Sequence, residues 1–186
     1  MPVIRGVLLD LDDTLVGTRE ANYEAYRLAC ELQGLVFTRA DFASQWGRDS
    51  RAFLRDVFGG VSDVVVERIR SDKRALYPQQ LTSSRLNEPL VSFVRSLPDV
   101  TVVLVTTAKR ENAEVVLRLH HLDDLFDHRV FGDDVSQGKP HPECYLRALE
   151  IAGLEPSSAL AFEDSEHGIR AASAAGIPTI KVKYFA

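Results

Sequence analysis

From Thr101 onward the sequence alternates between short apolar runs and stretches of helical periodicity, and this alternation restricts the fold more than any other feature. Residues 101–105 read as a strand, 109–119 as a helix and 129–131 as a short strand. Residues 142–152 follow as a helix, with Pro142 in its first turn and Gly153 just past its end. Residues 160–162 form a strand, 166–175 an alanine-rich helix and 179–182 a last strand. Strands that are apolar on both faces and alternate with helices argue for a parallel, doubly wound α/β sheet.

One more strand belongs to that sheet. Residues 4–9 are apolar on both faces, and then the period changes. Ala21, Ala25, Leu28, Ala29 and Leu32 fall at helical spacing, with Thr18 placed to cap the start and Gly34 to end it. Thr38-Arg39-Ala40-Asp41 reads as a capping box before a second helix. A third helix starts near Asp49 or Ser50 and ends at Gly59-Gly60. A fourth covers 62–77, where Pro78 stops it. Residues 18–82 thus form an all-helical insertion in a Rossmann-like core made of 1–17 and 83–186.

Composition narrows the partners. The chain has 186 residues and a net charge of −5, with no basic stripe, which argues against nucleic acid. No apolar run approaches ~18 residues, so no membrane span is expected. A strand that begins so near Met1 leaves no room for a signal peptide. Cys30 and Cys144 lie far apart on helical patterns and read as free thiols, which suits a reducing cytoplasmic setting.

In open α/β sheets, ligands bind beyond the carboxyl ends of the strands. The first strand runs into Asp10-Leu11-Asp12, the second into Thr106-Thr107 and the fourth into Glu163-Asp164. The loop Gly138-Lys139-Pro140 precedes a helix nearby in sequence. On an extended strand end Asp10 and Asp12 project to one side and Leu11 to the other. Several carboxylates in one crevice repel each other, and a hard divalent cation such as Mg²⁺ relieves the conflict. Lys139 and the Thr106 hydroxyl suit phosphate oxygens. Acids, Mg²⁺, a lysine and a hydroxyl together fit phosphoryl transfer, in which a carboxylate can be the nucleophile.

Four segments in order, "DLDDT", "LVTT", "GKPHPECY" and "FEDSEHGIRAASAAGI", resemble the motifs of the haloacid dehalogenase superfamily. The resemblance is to its phosphatase-like branch, with a helical cap inserted after the first motif. It implies Asp10 as nucleophile and Asp12 as general acid, then general base. It implies Thr106, with Thr107 beside it, and Lys139 as the phosphoryl-binding groups. It implies Mg²⁺ held by Asp10, Asp164 and the backbone carbonyl of Asp12, with Glu163 coordinating directly or through water. Asp12 also favours phosphate chemistry over dehalogenation, because a halide leaving group needs no proton. The implied activity is a Mg²⁺-dependent phosphatase for a small phosphorylated metabolite, working through an aspartyl-phosphate as a monomer or weak dimer. Cap opening and closing is implied as well, with hinges at 16–18 and 82–86.

The chain departs from that pattern in places. Asp13 stands where the family usually has glycine; it is expected to face solvent or the hinge, or to take a turn conformation. Gly17 stands where an aspartate is frequent. Asn22 replaces the proton-transferring histidine of β-phosphoglucomutases, which counts against a mutase, the first alternative. A receiver-like phospho-switch is the second; receivers lack the helical insertion and carry their phosphoacceptor on a later strand. In the cap, "QWGRDSRAF" matches a specificity loop. Arg48, Arg51 and the cap lysine Lys73 are therefore candidates for an anionic leaving group, each weighed against a solvated helix charge, and Trp46 reads as packing.

Overall fold

A computed structural model describes residues 3–45 and 50–185. Trp46 and Arg48 lie outside the described residues. In chain order the elements are β1 (Gly6–Leu9), β2 (Val16–Gly17), α1 (Arg19–Glu31), α2 (Arg39–Gln45), α3 (Ser50–Val57), α4 (Asp63–Gln80), β3 (Arg85–Leu86) and α5 (Glu88–Arg95). They continue with β4 (Thr101–Val105), α6 (Arg110–Leu119), β5 (His128–Val130), α7 (Glu143–Ala152), β6 (Ala159–Glu163), α8 (Glu166–Ala174) and β7 (Thr179–Lys181). The chain divides into two compact units, one built from residues up to Gly17 and from Arg85 onward, the other from Thr18–Ser84.

The first unit is a five-stranded parallel sheet in the order β5-β4-β1-β6-β7. β1 is central, with Gly6 in register with Thr101 of β4 on one side and Ala159 of β6 on the other. Alternate residues divide between the faces. Leu8, Val103, Val105 and Ala161 pack with Cys144, Tyr145 and Ala148 of α7 and with Ala171 and Ala172 of α8. On the opposite face Phe93 of α5 meets Phe162, with ring centroids 6.2 Å apart. Helices thus lie on both faces, as the alternating pattern predicts. The chain leaves this unit along β2 and re-enters along β3, and these two strands pair antiparallel. Nothing in the sequence pattern points to that ribbon, because two-residue strands carry no measurable period.

Helix α5 also escaped the periodicity. Its signals are a cap and a first-turn proline, not length: the Asn87 side chain accepts from the Leu90 N–H at 3.2 Å, and Pro89 follows. Asn87 also donates to the Thr14 carbonyl at 3.0 Å, which ties α5 to the turn after β1.

The second unit is all-helical and has its own core. Tyr23, Cys30, Phe37, Phe42, Phe53, Leu54, Val66 and Ile69 are buried together. Asp41 and Thr38 form the expected reciprocal cap, with Thr38 N–H on Asp41 at 2.8 Å and Asp41 N–H on the Thr38 hydroxyl at 3.2 Å. Two expectations fail here. Pro78 does not stop α4, which runs to Gln80. So close to the helix end the proline removes a single intrahelical bond, and burial of Tyr77 and Leu81 holds the last turn in place. Thr18 occupies the N-cap position of α1 with helical backbone and makes no side-chain capping bond.

Candidate active site

The site grows from the carboxyl ends of the three central strands. β1 ends at Leu9, and the Asp10 N–H still bonds the Phe162 carbonyl at 3.1 Å, so Asp10 stays tied to β6. On the other side the Thr106 N–H bonds the Val130 carbonyl at 3.0 Å, extending the pairing with β5. The Thr106 hydroxyl accepts from the Ala108 N–H at 3.0 Å, which leaves its own proton available to donate. A glycine supports this turn. A Cβ on Gly132 would sit 2.2 Å from the Thr107 carbonyl oxygen, so only glycine fits beneath it.

Lys139 arrives on the loop before α7. Glu143 holds that loop, its carboxylate accepting from the Ser136 N–H at 2.7 Å, the Ser136 hydroxyl at 2.8 Å and the Gln137 N–H at 2.9 Å. The Lys139 ammonium then reaches Asp10 Oδ1 at 2.7 Å, Glu163 Oε1 at 2.5 Å and the Val105 carbonyl at 2.9 Å. Its side chain is only 4 % exposed and that of Glu163 is 0 % exposed, so these are buried charges. Asp164 follows Glu163 and accepts from the Thr14 hydroxyl at 3.3 Å.

Asp10, Glu163 and Asp164 each offer a carboxylate oxygen within 4.8 Å of the others. Three acids face one ammonium, and the charges respond. Burial opposes the Lys139 charge, but Asp10 and Glu163 outweigh it and hold the ammonium well above its ordinary pKa. Burial, then Glu163, push the Asp10 carboxyl well above the usual carboxylate range against the pull of Lys139. Asp164 is pushed up to about 6 by burial, Glu163 and Asp13. A surplus of negative charge among oxygen donors is the environment a hard divalent cation fits.

This chain matches the haloacid dehalogenase-like hydrolase family over residues 4–176. The chain is a haloacid dehalogenase-like hydrolase. Among its relatives is a phosphorylated carbohydrates phosphatase from Thermotoga maritima, 31% identical over 182 residues that span 95% of this chain and 84% of the relative. Two solved structures share the fold. CbbY from Rhodobacter sphaeroides, solved in complex with phosphate, superposes with a TM-score of 0.86 at 23% identity, covering 98% of this chain and 88% of that one. β-Phosphoglucomutase from Clostridium difficile gives 0.81 at 22% identity, covering 98% and 86%.

Within this hydrolase the residues singled out by motif do not all come together. Asp10, Lys139, Glu163 and Asp164 do. Asp12 is half-buried, its backbone bridged to Val16; it is not one of the three carboxylates within 4.8 Å of one another, but its charge helps push the Asp10 carboxyl up. Thr106 is buried and Thr107 is exposed. Arg51 lies at the helical unit's surface, paired with Glu67 at 2.6 Å. Lys73 is no solvated helix charge: it is 8 % exposed, donates to Asn22 Oδ1 at 2.8 Å and lies 4.0 Å from the Tyr77 ring centroid. Asp13 does not face solvent either. It is buried, with a left-handed φ of 61°, and its N–H bonds the Val16 carbonyl at 2.7 Å. The turn conformation that the family usually fills with glycine is kept here by an aspartate.

Tyr145 received no role from the sequence. It sits in the "GKPHPECY" segment on the buried face of α7, among Cys144, Ala148 and Leu149. Its hydroxyl donates to Glu163 Oε1 at 2.7 Å. The available signal was a single hydroxyl on an otherwise apolar helix face, which must find a partner when buried.

Proposed function

We propose that this chain is a Mg²⁺-dependent phosphatase that hydrolyses a small organic phosphomonoester through an aspartyl-phosphate on Asp10. The observation that carries the reading is the buried Lys139 ammonium bound at once to Asp10 and Glu163, beside a third acid. Membership in a hydrolase family, with a carbohydrate-phosphate phosphatase among the relatives, supports it further and sets aside the receiver-like reading.

In this scheme Asp10, Asp164 and the Asp12 carbonyl, with Glu163 adjoining, would hold Mg²⁺, which would supply charge neutralisation for the phosphoryl oxygens. Lys139 and the Thr106 hydroxyl bind those oxygens. Asp10 attacks phosphorus, and the departing alkoxide takes a proton from the Asp12 carboxyl. The Asp12 carboxylate then takes a proton from water as that water attacks the aspartyl-phosphate, releasing inorganic phosphate and restoring Asp10. The helical unit is assigned the choice of leaving group, with Lys73 as its buried cation and Arg48 and Arg51 as further candidates.

The test is release of p-nitrophenol from its phosphate ester in Mg²⁺, abolished by EDTA and by Asp10→Asn. Full turnover by Asp10→Asn would sink the nucleophile. A screen of phosphorylated metabolites then defines the substrate. Interconversion of hexose 1- and 6-phosphates faster than phosphate release would replace hydrolysis by a mutase reaction; Asn22, with no titratable group, argues for hydrolysis.

A further inference from the structure

Lys139 is held from behind by a carboxylate that is itself fixed on every side. Glu163 Oε1 accepts from Lys139 and also from the Tyr145 hydroxyl. Its Oε2 accepts from the Ser165 hydroxyl at 3.3 Å, and that hydroxyl in turn caps α8 by accepting from the Gly168 N–H at 3.0 Å. Beneath the carboxyl group lies Gly168, where an added Cβ would fall 2.0 Å from the Glu163 carboxyl carbon. The absence of a side chain there lets the glutamate lie flat against the helix start.

Tyr145 itself cannot move. It is completely buried on the face of α7 that packs against the sheet. Burial keeps its hydroxyl protonated, so it serves as a donor. An aromatic side chain has two χ angles, both fixed here by packing, so its hydroxyl is a rigid reference point. A buried carboxylate with a freed lone pair would otherwise swing towards any other donor.

Building on the phosphatase reading, we propose that Tyr145 is a positioning residue. Its hydroxyl pins the Glu163 carboxylate, and through it aims the Lys139 ammonium at Asp10 and the phosphoryl oxygens. The Tyr145 ring also faces Lys139 directly, with Nζ 5.3 Å from its centroid, whereas the hydroxyl bonds Glu163, so the part of its effect that belongs to the hydroxyl travels through Glu163 to Lys139.

Tyr145→Phe removes one oxygen and keeps the ring. In the full-length protein it lowers kcat/KM for p-nitrophenyl phosphate about ten-fold, the equivalent of ~1.4 kcal/mol. Inorganic phosphate, titrated calorimetrically in Mg²⁺, binds more weakly by a similar factor. Both losses persist at saturating Mg²⁺ and well below the variant's melting transition, which a merely structural tyrosine or one acting only through metal affinity would not allow. Gly168→Ala, whose Cβ displaces the same carboxylate, reproduces the loss of phosphate affinity by a second route and carries the test if Tyr145→Phe fails to fold. Unchanged turnover and phosphate affinity in the variant overturn the proposal, as does full recovery of both at saturating Mg²⁺. A wild-type protein without phosphatase activity sinks the functional reading alone, because phosphate binding still reads the position of Lys139.

Discussion

Replacing Lys139 by methionine isolates the charge at the centre of the site. The two side chains are similar in length, and the thioether fills the same buried space, so little packing is lost. What disappears is the single cation between Asp10 and Glu163, whose side chains are 10 % and 0 % exposed. Removing one member of a buried ion pair leaves the other uncompensated, at about 3–5 kcal/mol. Here two carboxylates are left, so the upper part of that range applies at pH 8 without divalent cation. The pH sign follows from the acids. Asp10 is already pushed up by burial and by Glu163, and without Lys139 it rises further. A carboxyl whose folded pKa exceeds its unfolded value weakens the folded state increasingly as pH rises above the unfolded pKa. The deficit of Lys139→Met is therefore largest at pH 8 and shrinks towards pH 5, where Asp10 takes up its proton. Urea unfolding in EDTA, followed by far-ultraviolet circular dichroism at both pH values, measures it. A deficit below about 1 kcal/mol at pH 8, or one equal at the two pH values, would falsify the reasoning.

Three further outcomes are expected. Asp13→Ala is less stable than Asp13→Gly by about 1–2 kcal/mol in thermal melts, because both lose the carboxylate and only glycine is at ease in the left-handed region; equal melting would contradict the left-handed turn. The rise in melting temperature on adding Mg²⁺ is large at pH 8 and fades as pH falls through about 6, where Asp164 takes up the proton that competes with the cation; a shift constant from pH 5 to 8 would remove Asp164 from the set. Phe37→Ala, at the meeting point of the Tyr23, Phe42 and Phe53 rings, lowers stability by about 3–5 kcal/mol in urea melts; a loss under about 1 kcal/mol would show that this cluster collapses around the gap.

The parallel sheet was legible because its strands are apolar on both faces and its helices carry a clear period. Strand 101–105 was read to the residue, and Gly153 ends α7 in the left-handed conformation expected of it, while Pro142 stands at the N-cap, one residue before the first turn where it was expected. The site was legible for a related reason: Asp10, Glu163 and Asp164 are acids placed at apolar strand ends, and Lys139 lies in the "GKPHPECY" segment before α7. Other features left no trace in a linear pattern. The β2–β3 ribbon joins residues far apart in sequence through two-residue strands. Pro78 reads as a stop, yet tertiary burial of Tyr77 and Leu81 overrides it. The burial of Asp13 and Lys73 depends on neighbours brought in by folding, and no local rule separates them from exposed charges. Tyr145 shows the same limit, since its partner Glu163 comes from a different element of the fold.

The central position of β1 has a consequence for how the molecule is made. The strand that leads into Asp10 precedes the other strands of its sheet in the chain, yet its partners in register begin at Thr101 and Ala159. Neither edge of β1 can be satisfied until most of the chain has been translated, and closing such long loops is slow. The helical unit closes on contacts drawn from Thr18–Ser84 alone, so it can assemble while β1 still waits. During that interval β1 is a bare apolar segment, and a bare apolar strand is what chaperones recognise and what aggregation recruits. The acids that follow it, Asp10, Asp12 and Asp13, place three negative charges beside the strand. Charges flanking an unavoidable apolar strand are the pattern of gatekeeper residues.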